Sequence, residues 1–332
     1  MRFKSPTVGG YTVLAVAGAN TVSFAVDYSA ADTTGLLGFA VEREDPAEDE
    51  RYFMYGFKVF PSVVPNPDEN TKVSTYDHPV QSFVWDDFTA KPGRTYRYHF
   101  HPLKGRPKKL DRSAPAISVE VRTEPQFDPA QDHEVFFNRG VAGSQAYVRE
   151  FGTKDPLKLP EPKRGRALAW LSRQLDDAML RFIDDAAPGD TLLGCFYEFR
   201  YLPAAQALKA AHDRGVAVRL ILDAKVNERT DKNGVFHESF PREDNMRTVA
   251  DVGLPTDDVV WWREAKPNDI QHNKFMVLLK GAAEVPAAVW TGSTNLSMGG
   301  VHGQTNVGHW LRNAAVAGAF RSYWQVLAAD PG

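Results

Sequence analysis

Two short runs hold the residues whose types and spacing suit chemistry: Gln271-His272-Asn273-Lys274-Phe275-Met276-Val277-Leu278 and Trp290-Thr291-Gly292-Ser293-Thr294-Asn295-Leu296-Ser297. In a strand, side chains two residues apart share a face, so His272 and Lys274 are expected to project together into one cleft. An imidazole beside a fixed ammonium suits a phosphodiester. The ammonium neutralises a non-bridging oxygen while the imidazole attacks phosphorus. Gly292 permits close backbone approach, and the Ser293 hydroxyl and Asn295 amide are donors for phosphate oxygens. A His-x-Lys alone is as readily a surface strand, and a Gly-Ser-x-Asn alone a plain turn. The two together, on adjacent predicted strands, point to one anion site.

The elements that must position these residues follow from periodicity. Apolar spacing predicts one helix over 167–185, ended by Pro188-Gly189-Asp190, and a strand over 191–199. A helix over 203–214 stops at Gly215, and Val216-Ala217-Val218-Arg219-Leu220-Ile221-Leu222-Asp223 reads as a strand buried on both faces. This strand-helix-strand order predicts a right-handed crossover and a largely parallel sheet. A polar excursion over 224–243 leads to a short helix at 245–252. Strands follow at 259–262, 274–279 and 287–291, then a last helix at about 314–328.

Upstream the pattern differs. Residues 1 to about 125 read as all-β, with strands at 13–16, 22–26, 37–41, 53–57, 82–85, 96–100 and 117–121, separated by groups such as Pro65-Asn66-Pro67-Asp68 and Lys91-Pro92-Gly93. Short strands at this density predict a β-sandwich of the immunoglobulin or fibronectin III type. The run from Asp86 to Tyr96 resembles a fibronectin-type strand-turn-strand segment. The expected organisation is a β-sandwich over 1–124, a polar, proline-marked linker over 125–134, and an α/β domain over 135–332.

Composition bounds the function. The chain has 332 residues, 43% hydrophobic and 24% charged, which fits a globular protein and excludes a disordered chain, a collagen and a coiled coil. With 39 Lys+Arg against 42 Asp+Glu the net charge is −3, unlike a strongly basic nucleic-acid binder. The single Cys195 excludes an internal disulfide framework and a cysteine-built zinc site, and its run Leu-Leu-Gly-Cys-Phe-Tyr predicts a buried small hydrophobe. No run approaches the roughly 18 apolar residues of a spanning helix. The N-terminus lacks the apolar core of a signal peptide. The expectation is a soluble, cytoplasmic chain without stable membrane insertion.

Residues from about 190 to 328 resemble one catalytic half of the phospholipase D superfamily, through His272, Lys274, Gly292, Ser293 and Asn295 and through the helix leading into Arg214-Gly215-Val216. Gly303-Gln304-Thr305-Asn306-Val307-Gly308-His309 falls where the family has a strand bearing Asn and Glu. The resemblance implies an α/β/α sandwich and cleavage or transfer of a phosphodiester, in a phospholipid head group or a nucleic acid, through a phosphohistidine. It implies neither metal nor cofactor. His272, Lys274 and Asn295 would be catalytic; Gly292, Ser293, Asn306 and Gln304 would contact substrate. Three features depart from the family. Leu279 occupies the motif aspartate position, the connection from Lys274 to Gly292 is longer than usual, and Asn306 or Gln304 stands where an acid normally orients the histidine. Glu198, at a predicted strand end, is either a replacement acid or a surface acid.

The family mechanism uses two histidines, one attacking phosphorus and one protonating the leaving oxygen. Only one His-x-Lys is present; His237 and His302 lack the following lysine. Either a symmetric homodimer supplies the second copy or a second half is missing, and Ala328-Ala329-Asp330-Pro331-Gly332 reads as a linker-like ending. Two other readings stand beside this one: an endonuclease of the same superfamily, and a degenerate, non-catalytic phosphate-binding or interaction module.

Other residues have two readings each. Arg139, in Phe137-Asn138-Arg139-Gly140, lines a phosphate site or belongs to a strand running into a turn. Trp261-Trp262 stack on a ligand or fill the core. The basic clusters at 104–109 and 163–166 steer a polyanion or form a solvated face. His212 and His309, in apolar contexts, read as packed or capping histidines.

Overall fold

The structure is a computed structural model that describes residues 1–68, 71–266 and 269–329; the end of the linker-like run, 330–332, lies outside the described residues. The chain divides into two compact units, Met1–Asp128 and Pro129–Gly332.

The first unit is all-β. Its strands are β1 (Arg2–Lys4), β2 (Tyr11–Ala17), β3 (Val22–Tyr28), β4 (Gly38–Asp45), β5 (Glu50–Phe53), β6 (Tyr55–Gly56), β7 (Val73–Ser74), β8 (Val84–Asp87), β9 (Thr95–Arg106), β10 (Lys109–Asp111) and β11 (Ile117–Arg122). One antiparallel sheet has the order β1-β2-β3-β8. A second has β10-β9-β4-β5, with β11 also paired to β9. Period-two alternation explains the shared core: Val13, Ala15 and Ala17 are buried while Leu14 and Val16 are exposed. Phe24 meets Tyr98 and Phe100, and Tyr11 meets Phe39 edge-on, so side chains of both sheets interlock. The strand expected over 53–57 is instead split, because Met54 turns into the core between β5 and β6.

Buried in this unit is an ion pair, Arg43 Nη1 to Asp87 Oδ2 at 2.9 Å. Asp87 also accepts from Tyr98 Oη at 2.8 Å and from Thr89, so the carboxylate is satisfied without water. Such a pair is costly to break, because the surviving charge is left without a partner in the interior.

The second unit is a seven-stranded sheet between helices, in the order β12-β20-β19-β18-β13-β14-β17. Its strands are β12 (His133–Phe137), β13 (Thr191–Phe196), β14 (Ala217–Asp223), β17 (Val260–Arg263), β18 (Lys274–Lys280), β19 (Val285–Gly292) and β20 (Val307–Leu311); a short hairpin, β15 (Arg229–Thr230) and β16 (Phe236–His237), lies in the polar excursion. The helices are α1 (Gln145–Phe151), α2 (Lys163–Ser172), α3 (Leu175–Asp184), α4 (Leu202–Asp213), α5 (Arg242–Val252) and α6 (Ala314–Ala329). Both faces of the central strands are covered. Leu193, Cys195, Phe275, Val277 and Val289 pack with Trp324 of α6. On the opposite face Trp290 and Trp310 pack on Phe182 of α3.

Two expectations are corrected here. The sheet is mixed, not largely parallel: only β13/β14 and β14/β17 run parallel, and β13/β18, β18/β19, β19/β20 and β12/β20 are antiparallel. β18 returns into β19 through a tight turn at 281–284, and β19 into β20 through the longer segment 293–306, so these neighbours run in opposite directions. The single helix expected over 167–185 is two helices, because Arg173 and Gln174 both take left-handed conformations, φ 46° and 70°. Apolar spacing is blind to that break.

The pairing directions put one set of strand termini along one edge of the sheet. β12, β13, β14, β17 and β19 end there, and β18 and β20 begin there. Among the described residues, no helix is long and apolar enough to cross a membrane.

Candidate functional site

Lys274 is the first residue of β18, at this edge. His272 lies two residues earlier, outside the strand in which it was expected. The extended course nevertheless continues, because the Tyr197 amide donates to the Asn273 carbonyl at 3.0 Å. Asn273 and Phe275 turn towards Tyr323 of α6, and alternation leaves His272 and Lys274 on the other side. Tyr197 organises that side. The His272 ring meets it edge-on, centroids 4.9 Å apart, and Lys274 Nζ lies 5.9 Å from its centroid. Lys274 Nζ also donates to the His272 carbonyl at 3.0 Å, which ties the ammonium to the segment carrying the imidazole.

Glu198 follows Tyr197 just beyond β13. It is buried, at 8% relative exposure, so the surface-acid reading is corrected. Its Oε1 accepts from Asn295 Nδ2 at 2.8 Å, and its Oε2 from Arg200 Nε at 2.9 Å. The backbone enforces this contact: Phe199 bridges Leu296, and the Arg200 amide donates to the Leu296 carbonyl at 2.8 Å. Asn295 is thereby held at the site by a carboxylate from another strand.

The electrostatics follow from burial and these neighbours. Burial pushes the Lys274 ammonium down to about 8, with Glu198 opposing the shift. Burial, then the Lys274 charge, lower His272 below its ordinary value, again against Glu198. At neutral pH the imidazole is therefore neutral and the ammonium mainly charged, the states that nucleophile and anion holder require.

Gly292 and Ser293 serve the neighbouring strand. A Cβ on Gly292 would lie 2.1 Å from the Val307 carbonyl oxygen, so β19 and β20 close only on glycine. Ser293 Oγ donates to Asn306 Oδ1 at 2.8 Å and accepts from the Val307 amide at 3.1 Å. Asn306 Nδ2 donates to the Gly300 carbonyl at 2.8 Å, and its amide to Asn138 Oδ1 at 2.7 Å. Gln304 is exposed, and its carbonyl accepts from Asn138 Nδ2 at 2.7 Å. The structure thus brings together His272, Lys274, Glu198 and Asn295, and ties Ser293, Asn306 and the Gln304 backbone into an adjoining network. Neither Asn306 nor Gln304 bonds to His272.

Tyr197 and the carboxyl of Asp223, buried and raised by that burial beside Tyr197, escaped the sequence reading. The signal available for Tyr197 was its place next to Glu198 at the end of a mostly apolar strand. Among the residues with two readings, Trp261 packs edge-on against Trp324 in the core. Cys195 is buried, its thiol pushed up to about 12. His309 bonds His133 across β12 and β20 at 2.9 Å.

Residues 179–327 match the family model described as the cardiolipin synthase, PLD-like domain. No curated protein sequence matches the chain. Among solved structures, Nuc of Salmonella typhimurium, a phospholipase D family member, is similar at 22% identity and a TM-score of 0.34 over 46% of this chain and 85% of that one. NucT from Helicobacter pylori is similar at 16% identity and a TM-score of 0.34, over 47% and 88%. Polyphosphate kinase from Porphyromonas gingivalis is similar at 16% identity and a TM-score of 0.35, over 47% and 24%. Residues 179–327 of this chain are a phospholipase D-like domain.

Proposed function

We propose that the chain is a phosphodiesterase that works through a phosphohistidine. The neutral His272 imidazole attacks phosphorus through a ring nitrogen; a P–N bond forms and the P–O bond to the leaving group breaks. Lys274 holds the non-bridging charge that grows on the phosphoryl oxygens, and the Asn295 amide positions the same group. A second imidazole protonates the leaving oxygen, and water later cleaves the P–N bond with the roles reversed. A second copy of the chain supplies that imidazole. Glu198 takes the part of the acid absent from the Asn306 position, acting through space on His272 and Lys274 and directly on Asn295. The substrate is a phosphodiester of a phospholipid or a nucleic acid. The N-terminal unit, two antiparallel sheets around one core, is read as a sandwich of the fibronectin III or immunoglobulin type that presents the domain to its target.

One observation carries the reading: His272 and Lys274 share one side of the sheet edge around Tyr197, beside an asparagine fixed by a buried carboxylate. The test is turnover of bis-p-nitrophenyl phosphate. His272→Ala is expected to abolish it; turnover equal to that of the unaltered protein contradicts the reading.

A further inference from the structure

In the first unit, the β1-β2-β3-β8 sheet has an outer face that its core does not account for. Alternation turns Val13, Ala15 and Ala17 inward and leaves Leu14 and Val16 outward, at 40% and 53% exposure. Pairing register sets their neighbours on the same face. One row across the four strands reads Arg2, Val16, Ser23, Asp86, and the next reads Lys4, Leu14, Ala25, Val84. Val84 is 64% exposed. Leu14, Val16 and Val84 thus stand out from a sheet face that polar side chains cover when it meets only water.

The charges on this face are ordered too. Arg2 and Lys4 lie on β1, at one edge of the sheet, and Asp86 lies on β8, at the other. Among the described residues, none of the three has an ion-pair partner within the chain. Opposite charges on opposite edges make the face complementary to itself. A two-fold axis parallel to the strands, midway between β2 and β3, lays β1 of one copy over β8 of the other. Arg2 then faces the partner's Asp86, Val16 faces the partner's Ser23, and Leu14 faces the partner's Ala25. Large side chains meet small ones in both rows, as two sheets stacked about 10 Å apart require. The Lys4 stem runs over the partner's Val84 with its ammonium at the rim. An axis perpendicular to the strands would instead set β1 on β1, cation against cation.

We propose that this face docks a second copy of the chain in an isologous dimer. Every contact occurs twice, so two Arg2–Asp86 pairs flank a strip of Leu14, Val16 and Val84. A patch four strands wide lies at the lower end of specific interfaces, so the dimer is reversible and concentration-dependent. The catalytic reading also calls for a second copy, but this surface is argued from the first unit alone and does not depend on His272.

The test is sedimentation equilibrium of the full chain over a range of concentrations, where a monomer–dimer equilibrium is expected. Val16→Asp sets a charge into the strip of each copy and is expected to weaken association about a hundredfold. Asp86→Arg puts like charges opposite each other twice and is expected to weaken it about tenfold, as is Arg2→Asp. Combining R2D with D86R is expected to restore the unaltered equilibrium, because the two positions face each other across this axis. The charge variants alter exposed side chains only, so they test the face even where Val16→Asp fails to fold. A chain that stays monomeric at every concentration overturns the proposal, whatever other protein the face meets. A dimer left unchanged by D86R and V16D overturns it as well, by placing the contact elsewhere on the chain, and so does a double variant as weak as the single ones. His272→Ala is expected to dimerise like the unaltered protein while losing turnover, so this proposal and the catalytic reading fail separately.

Discussion

Glu198 and Asn295, 97 residues apart in sequence, are joined by a 2.8 Å hydrogen bond in a buried setting. The bond links β13 to the loop after β19 and brings a carboxylate to a site whose own motif strand carries Asn306 instead. Its charge reaches both His272 and Lys274, raising each against the effect of burial.

Glu198→Gln removes that charge while keeping an amide oxygen for Asn295. Both His272 and Lys274 are expected to titrate at lower pH, and kcat to fall with little change in KM, because Glu198 touches no substrate atom. The kcat/KM profile of the variant against pH checks this; a profile that keeps its position assigns Glu198 to structure alone.

The pH dependence of the unaltered protein follows from the same groups. The reaction needs one copy of His272 neutral, the second copy protonated and Lys274 charged. Activity is expected to peak around the His272 value, which lies below its ordinary one, and to be lost above about 8 as Lys274 also loses its proton. A steady rise in kcat/KM from pH 8 to 10 would exclude Lys274 as the anion holder.

Gly292→Ala puts a methyl 2.1 Å from the Val307 carbonyl oxygen, at a φ of 157°. The contact is with backbone, so strands must separate. A loss of roughly 1–3 kcal/mol is expected, together with lower activity through displacement of Ser293 and Asn295. Chemical denaturation and turnover on one preparation check both.

In the N-terminal unit, Asp87→Ala leaves Arg43 buried without its partner. The cost is expected at about 3–5 kcal/mol, as for other broken buried pairs. Amide exchange in β3, β4 and β9 reads it; protection equal to that of the unaltered protein would mean that the pair contributes nothing.

Most of the strands that build the site were legible, because they are short apolar runs between turn residues: 191–196, 217–223 and 274–280 stand almost where their patterns put them. The break at Arg173–Gln174 was not, since both residues suit a helix interior and only the tertiary structure turns them left-handed. Strand direction was hidden for a related reason, as a buried strand reads the same whether its neighbour runs with it or against it. His272, Lys274 and Asn295 were singled out by type and spacing. Tyr197 and the burial of Glu198 were not, because the contacts that define them cross from β13 to the segments before β18 and after β19, and only pairing register reveals those.

The most direct test of the account is the covalent state of residue 272 during turnover. Protein mixed with bis-p-nitrophenyl phosphate and quenched without acid, which preserves a P–N bond, is digested and analysed by mass spectrometry. A phosphorylated peptide with the modification on His272 is expected, absent from His272→Ala. Turnover with no covalent species at that residue, or with the phosphoryl group on another side chain, would contradict it.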